Sequence, residues 1–281
     1  MMKKTAIVTG ANSGFGKLIT LRLAKQGYTV IAGVRQAKNA KKLAQEVKEV
    51  SLSAHIHIES LDVTDSQSIQ ALKEKLDDYA PITLLVNNAG TAYGGFAEEI
   101  PIDTYRQQFE INVFSVMEMT QTVIPFMTSG AKILNMSSIS GLMGMPALSP
   151  YVSSKFALEG YTESLRIELA PFGIQAALIE PGSFHTNIWN TSMNEQIIEP
   201  VEDSKYSTFH QKMMAYLDAQ KSNYGDPNQV AELVVTLAEK KHLKRLRYLI
   251  GKGVRLSSTA KRILPWHLWE KIILRTLFAK K

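Results

Sequence analysis

The run Thr5-Ala6-Ile7-Val8-Thr9-Gly10-Ala11-Asn12-Ser13-Gly14-Phe15-Gly16 constrains the fold more than any other stretch of this chain. Thr5 to Thr9 reads as a short buried strand. A helical pattern follows from Lys17 to about Gln26 and stops at Gly27, a residue suited to closing a helix in the left-handed conformation. Strand, glycine-rich turn and helix in this order bring the free N–H groups and the positive end of the helix dipole to the turn. The glycines let backbone approach a pyrophosphate closely. The spacing is Gly-x-x-x-Gly-x-Gly rather than the commoner Gly-x-Gly-x-x-Gly, and a plain glycine-rich loop is the competing explanation.

The alternation continues along the chain. Thr83 to Val86 reads as a buried strand running into Asn87-Asn88-Ala89-Gly90, and Lys132 to Met136 as another running into Ser137-Ser138-Ile139-Ser140-Gly141. Ile174 to Ile179 leads to Pro181-Gly182, and Leu246 to Ile250 looks like a final strand. Helical patterns cover 37–50, 66–79, 102–127, 150–172 and 227–240. Strands alternating with helices predict an α/β fold: one doubly wound parallel sheet with helices on both faces. A chain of 281 residues is long enough to bury a large core in one such unit. In open parallel sheets ligands bind beyond the carboxyl ends of the strands, so these turns should converge on one rim.

On that rim's approach lies Tyr151-Val152-Ser153-Ser154-Lys155. On a helix the two side chains stand at i and i+4 on one face. An ammonium about 4 Å from a phenolate at an effective dielectric near 20 contributes roughly 4 kcal/mol, or about three pKa units. The phenol of Tyr151 is therefore expected near 7, where proton transfer in either direction is efficient. Taken alone, so short a pattern reads first as an amphipathic surface pair.

Together these motifs resemble the short-chain dehydrogenase/reductase family. The resemblance rests on Thr9-Gly10-x-x-x-Gly14-x-Gly16, Asn87-Asn88-Ala89-Gly90, Asn112, Ser138, Tyr151-x-x-x-Lys155 and Pro181-Gly182, in order over about residues 3–255. The stretches Ser138 to Pro146 and Lys155 to Gly160, with His185-Thr186, are similar to the 17β-hydroxysteroid and retinol dehydrogenase branch. The resemblance implies a Rossmann-type domain at 1–255 with about seven strands in the order 3-2-1-4-5-6-7. It implies that Tyr151 exchanges a proton with a carbonyl or hydroxyl oxygen as hydride passes to or from a nicotinamide. Ser138 would hydrogen-bond the same oxygen; on residue type alone, Ser137 and Ser140 are rivals. Lys155 would lower the Tyr151 pKa and hold the ribose, and Asn112 would anchor a water, unless it only caps a kink in its helix.

Cofactor contacts are implied for Gly10, Asn12, Ser13, Gly14, Phe15, Gly16, Arg35, Asp62, Val63, Asn88, Ala89, Gly90, Tyr151, Lys155, Pro181, Gly182 and Thr186. The second strand, Thr29 to Val34, ends without an acidic residue that would bond a ribose 2′-hydroxyl, and Arg35 follows. Arginine suits a 2′-phosphate, so NADP(H) is the expected cofactor; alternatively Arg35 covers the adenine face. No metal site is expected: His55 and His57 read as strand histidines sharing a face, without further ligands at suitable spacing.

The chain has no cysteine, and no run approaches 18 apolar residues, so a cytoplasmic enzyme is the expectation. The net charge of +6 is unevenly placed: from Lys240 onward 13 basic residues face one acidic one, Glu270, a net +12, which leaves −6 on the rest. The tail, 256–281, contains a helical pattern with Trp266, Trp269, Ile273 and Leu277 on one stripe and His267, Lys271 and Arg275 on another side. It either docks on protein or lies on an anionic membrane surface; no nucleic-acid motif accompanies the charge. The insertion at about 183–225, with Phe184, Trp189, Met193, Tyr206, Phe209, Met213, Met214 and Tyr216, points to an apolar alcohol or carbonyl substrate, steroid-, retinoid- or lipid-like. Leu142, Met143 and Met145 could join that wall. The resemblance further implies a homodimer or homotetramer formed through the helices carrying Asn112 and Tyr151. The alternative function is a catalytically idle NADPH-binding sensor or membrane-surface adaptor.

Overall fold

A computed structural model describes residues 4–185 and 198–278. Seven parallel strands, β1 (Thr5–Thr9), β2 (Thr29–Val34), β3 (Ile56–Ser60), β4 (Ile82–Asn87), β5 (Met127–Met136), β6 (Gln175–Pro181) and β7 (Arg247–Ile250), form one sheet ordered β3-β2-β1-β4-β5-β6-β7. The chain starts in the middle, winds out to β3, crosses back over β1 to β4 and winds out again. The expected order is the observed one.

Period-two alternation within the central strands feeds both faces. In β1, Ala6 and Val8 join one core cluster while Ile7 joins the other; in β4, Leu84 and Val86 take the first side and Leu85 the second. The first face is covered by α1 (Gly14–Lys25), α2 (Ala37–Glu49) and α9 (Asn228–Glu239), through Ile19, Leu23, Leu43, Val47, Val230 and Val234. The second is covered by α3 (Ser66–Lys73), α6 (Ser115–Val123) and α7 (Ser149–Leu169), through Ile69, Leu72, Met119, Val123, Leu165 and Leu169. Burying both faces is what permits strands this continuously apolar.

Several boundaries differ from the sequence expectation. Helix α1 begins at Gly14, inside the glycine turn, not at Lys17. The pattern at 66–79 divides into α3 and a short α4 (Leu76–Tyr79), because the chain turns at Glu74-Lys75 to bury Leu76. The pattern at 102–127 is not one α-helix. It is α5 (Ile102–Phe109), a π-helical turn at Glu110–Phe114, α6 and a 3₁₀ turn at Ile124–Phe126 that carries Pro125. Strand β5 starts at Met127, five residues earlier than read, since apolar content marks only its buried half. His55 lies in the turn before β3 rather than on a shared strand face, and His57 packs edge-on against Tyr79, with centroids 5.2 Å apart.

Past the sheet, α8 (Ser207–Gln220) lies over the carboxyl rim, and the chain ends in α10 (Val254–Ile263) and α11 (Trp266–Phe278). Helix α11 packs against α8, with Trp269 buried. Of the two alternatives for the tail, packing on protein is present on its own chain. Trp266, expected on the same stripe, is instead exposed, with Lys261 Nζ 4.2 Å from its ring centroid. Among the described residues no helix is long and apolar enough to cross a membrane.

Candidate active site

The glycine turn closes onto the end of β4 through one hydroxyl. Thr9 Oγ1, at the end of β1, accepts hydrogen bonds from the backbone N–H groups of Asn88 and Ala89, both at 2.9 Å. Asn88 Nδ2 answers by donating to the Thr9 carbonyl at 2.9 Å and the Gly10 carbonyl at 3.3 Å. Gly10 and Gly14 have φ of 63° and 52°, in the left-handed region where a side chain is strained. A Cβ on Gly16 would stand 2.2 Å from the Gly10 carbonyl oxygen, so only glycine lets α1 start this close to the turn. Asn12, Ser13 and Phe15 are half-buried, Phe15 packing against the core and edge-on to Phe184, and Ser13 is the N-cap residue of α1 without a side-chain cap bond.

Around this cradle the other expected contacts lie along the same rim. Arg35 is exposed directly after β2. Asp62 follows β3 and folds its own turn, Oδ1 accepting from Thr64 N at 3.0 Å and Thr64 Oγ1 at 2.8 Å; Val63 beside it is buried. Pro181 and Gly182 end β6, where a Cβ on Gly182 would come 2.5 Å from Val254 Cγ2. Thr186 lies outside the described residues, as do Trp189 and Met193.

The second half of the site is built on α7 and β5. Tyr151 and Lys155, one turn apart, are both 6% exposed. Lys155 Nζ donates to the Met136 carbonyl at 2.7 Å and stands 5.7 Å from the Tyr151 ring centroid. Ser138, two residues past β5, is near enough to the Tyr151 phenol to favour its ionised form, and its Oγ accepts from Ser140 N at 3.1 Å. Ser137 is committed elsewhere, donating to Glu159 Oε1 at 2.6 Å. Asn112 sits in the π-helical turn, so the local departure from α-helix geometry and the buried amide coincide. Its Oδ1 accepts from Thr91 N at 3.0 Å; its Nδ2 donates to the Thr91 carbonyl at 3.0 Å and to Ser154 Oγ at 3.1 Å.

The electrostatics correct one expectation. The Tyr151 phenol is not brought down toward neutrality; burial pushes it up, opposed by the nearby Ser138 hydroxyl. The expected shift requires a charged Lys155 about 4 Å from the phenolate. In the fold Lys155 is itself buried, and burial lowers its own pKa to about 8, with the Glu159 carboxylate acting the other way.

Sequence reasoning passed over a second buried network directly behind Lys155. Glu159 accepts from Ser137 and from Arg247 Nε at 2.8 Å, and Arg247 also reaches Glu163 at 3.2 Å. Glu180 is wholly buried at the end of β6, its Oε1 3.5 Å from Arg247 Nε. Burial, then the neighbouring Glu159, pushes the Glu180 carboxyl well above the usual carboxylate range. The available signal was a glutamate inside an otherwise apolar strand, next to Pro181-Gly182.

A separate apolar cluster reaches Ala147, four residues before Tyr151. Phe96, Ala147 and Met213 form a buried cluster with Tyr206, Phe209, Met214 and Leu217 against it, and the Phe96 and Tyr206 rings stack at 4.4 Å. The cluster joins the loop after β4, the approach to α7 and helix α8.

With a glycine cradle at a helix N-terminus and a buried Ser–Tyr–Lys group on the same rim, this chain belongs to the short-chain dehydrogenase family, whose model matches residues 4–197. It is similar to an uncharacterized oxidoreductase, YusZ, of Bacillus subtilis, at 53% identity over 99% of this chain and 100% of that one. A 3-ketodihydrosphingosine reductase of Bacteroides thetaiotaomicron is 30% identical over 86% of each chain. Human 17-beta-hydroxysteroid dehydrogenase type 1 is 30% identical over 84% of this chain and 74% of its own, in keeping with the branch resemblance. Among solved structures, the F189W actinorhodin polyketide ketoreductase with NADPH superposes with a TM-score of 0.75 at 27% identity, covering 90% of this chain and 97% of that one. The chain is an oxidoreductase of this family. The glycine cradle, which a single Cβ at Gly16 would fill, fits a nicotinamide dinucleotide.

Proposed function

We propose that the protein is an NADP(H)-dependent oxidoreductase that interconverts a hydrophobic ketone or aldehyde and its alcohol. The observation that carries this reading is the burial of Ser138, Tyr151 and Lys155 together past β5 and on α7, with an apolar cluster that includes Ala147 just before that helix. NADP(H) is favoured over NAD(H) because β2 ends without a carboxylate and exposes Arg35, whose guanidinium suits a 2′-phosphate. The two relatives named for a keto-sphingoid and a hydroxysteroid substrate support a carbonyl carried on a large apolar skeleton.

When bound, the nicotinamide supplies or accepts the hydride. Gly10, Gly14 and Gly16 admit the pyrophosphate to the α1 N-terminus, with Asn12, Ser13 and Phe15 around it. Arg35, Asp62 and Val63 flank the adenosine end, and Asn88, Ala89 and Gly90 the middle. Pro181 and Gly182 complete the nicotinamide end. Ser138 Oγ orients the carbonyl oxygen and Tyr151 Oη delivers its proton there, or removes it in the reverse direction. Lys155 holds the ribose and places positive charge beside the phenol as it gives up that proton. Asn112 fixes the loop after β4 against α7 through Thr91 and Ser154. Exposed Phe114 and Phe156, on the helices carrying Asn112 and Tyr151, support pairing of two copies there.

The test is oxidation of NADPH and of NADH against a panel of apolar carbonyls, with Tyr151→Phe alongside. Turnover with NADPH that disappears in the variant is expected. Equal use of NADH would overturn the NADP(H) assignment, and an active Tyr151→Phe enzyme would overturn the proton-transfer role. Tight NADPH binding with no turnover across a widened panel would favour the sensor reading.

A further inference from the structure

We propose that α10 and α11 together form a docking surface for an anionic lipid membrane. Helix α11 shows two faces. Trp269 is buried and Ile273 half-buried toward the protein, whereas the opposite side presents Lys271 and Arg275 between Leu268, Ile272 and Leu274. Those three apolar side chains are 41%, 45% and 45% exposed, a level a solvated helix face does not need. On α10, Leu256 and Ile263 stand seven residues apart on one side at 76% and 73% exposure, with Arg255 and Arg262 exposed beside them. Trp266, 60% exposed, lies at the junction with Lys261 over its ring. Basic residues interleaved with exposed Trp, Leu and Ile are the composition of a helix lying in a membrane interface.

Charge selects the occupant. Helices α10 and α11 carry five basic residues, Arg255, Lys261, Arg262, Lys271 and Arg275, against the single acidic Glu270, a net +4, while the chain before Lys240 carries −6. An isologous contact with a second copy would set Lys271 and Arg275 against their own equivalents, whereas anionic headgroups neutralise them. With α11 spanning 13 residues, roughly 20 Å of helix can lie along the surface. The arrangement also has a consequence for access: α11 packs on α8, and α8 contributes Phe209, Met213 and Met214 to the apolar cluster that includes Ala147, just before α7. A lipid-dissolved substrate would meet the site without crossing water.

The full chain should be sedimented with vesicles of phosphatidylcholine alone and with phosphatidylglycerol mixed in, without substrate or cofactor. Partition onto the anionic vesicles only is expected. Each cation at such a surface contributes about fivefold, so Lys271→Gln with Arg275→Gln should weaken partition roughly twenty-five-fold. Leu268→Ser with Ile272→Ser should weaken it as well. NADPH oxidation on a water-soluble ketone should be unchanged in both double variants. Absence of partition onto anionic vesicles, or partition that neither pair affects, overturns the proposal. Light scattering in which these variants split a dimer, with no vesicle binding by the parent, assigns the face to a second copy and overturns it too. Because the sedimentation contains no substrate, its failure leaves the proposed reaction standing.

Discussion

Lys155 Nζ donates to the carbonyl oxygen of Met136 at 2.7 Å, which ties helix α7 to the last residue of strand β5. The bond satisfies one ammonium proton inside a buried site, yet burial still holds the Lys155 pKa near 8. The charged form therefore dominates below about pH 8 and is lost above it. If the ammonium supports proton transfer, kcat/KM for ketone reduction should decline as pH rises past 8, by up to tenfold per unit. Lys155→Met should remove the inflection and lower the rate roughly a hundredfold or more. A flat profile in the parent enzyme would disprove the role.

The two neighbouring serines should separate cleanly. Ser138→Ala removes the hydroxyl that favours ionisation of the Tyr151 phenol and should reduce kcat by roughly a hundred- to a thousandfold, as for loss of a donor at a developing charge. Ser137→Ala leaves Glu159 paired with Arg247 Nε at 2.8 Å and should cost about 1 kcal/mol of stability with little change in kcat. Steady-state rates and urea denaturation on both variants would distinguish them. The reverse ranking would move the role to Ser137.

Asn112 offers a stability test. Its side chain makes three buried hydrogen bonds, to both backbone groups of Thr91 and to Ser154 Oγ. Asn112→Ala should destabilise by about 2–4 kcal/mol, near 1 kcal/mol per bond lost. Activity should fall with it, because the loop after β4 is no longer held to α7. Urea midpoints that stay put would show that the π-helical turn holds its shape without the amide.

The motifs that announced themselves in the sequence are those whose chemistry is local. Gly16 is legible because a turn feeding a helix needs a residue without Cβ, and Tyr151 and Lys155 because four residues bring them onto one face. The parallel sheet followed from alternation, and its strand order from the family those motifs resemble. What stayed hidden depends on packing. The π-helical turn at Glu110–Phe114 has the apolar spacing of an ordinary helix, and the break at Glu74-Lys75 leaves the pattern intact. The direction of the Tyr151 pKa turned on burial, which a four-residue spacing does not reveal. The Glu159–Arg247–Glu180 network joins α7, β6 and β7, residues up to 88 positions apart that only the fold assembles.

That network yields the last prediction. Glu180 is wholly buried, and both its oxygens lack a hydrogen-bond partner among the described residues, while the Arg247 guanidinium lies 3.5 Å away and shares itself with Glu159 and Glu163. Burial raises its folded pKa far above the ordinary value of 4.5, so the native state keeps a proton that the unfolded chain has already released. Over the interval between those two pKa values the native state binds more protons, and stability must fall as pH rises. Each unit of difference is worth about 1.4 kcal/mol. Glu180→Gln keeps the size and neutrality of the protonated acid and abolishes the titration. The variant should match the parent near pH 5 and exceed it in stability on the alkaline side, with a flatter dependence between. Urea midpoints across pH 5 to 9 measure it; parallel curves for the two proteins would mean that Glu180 is ionised in the native state.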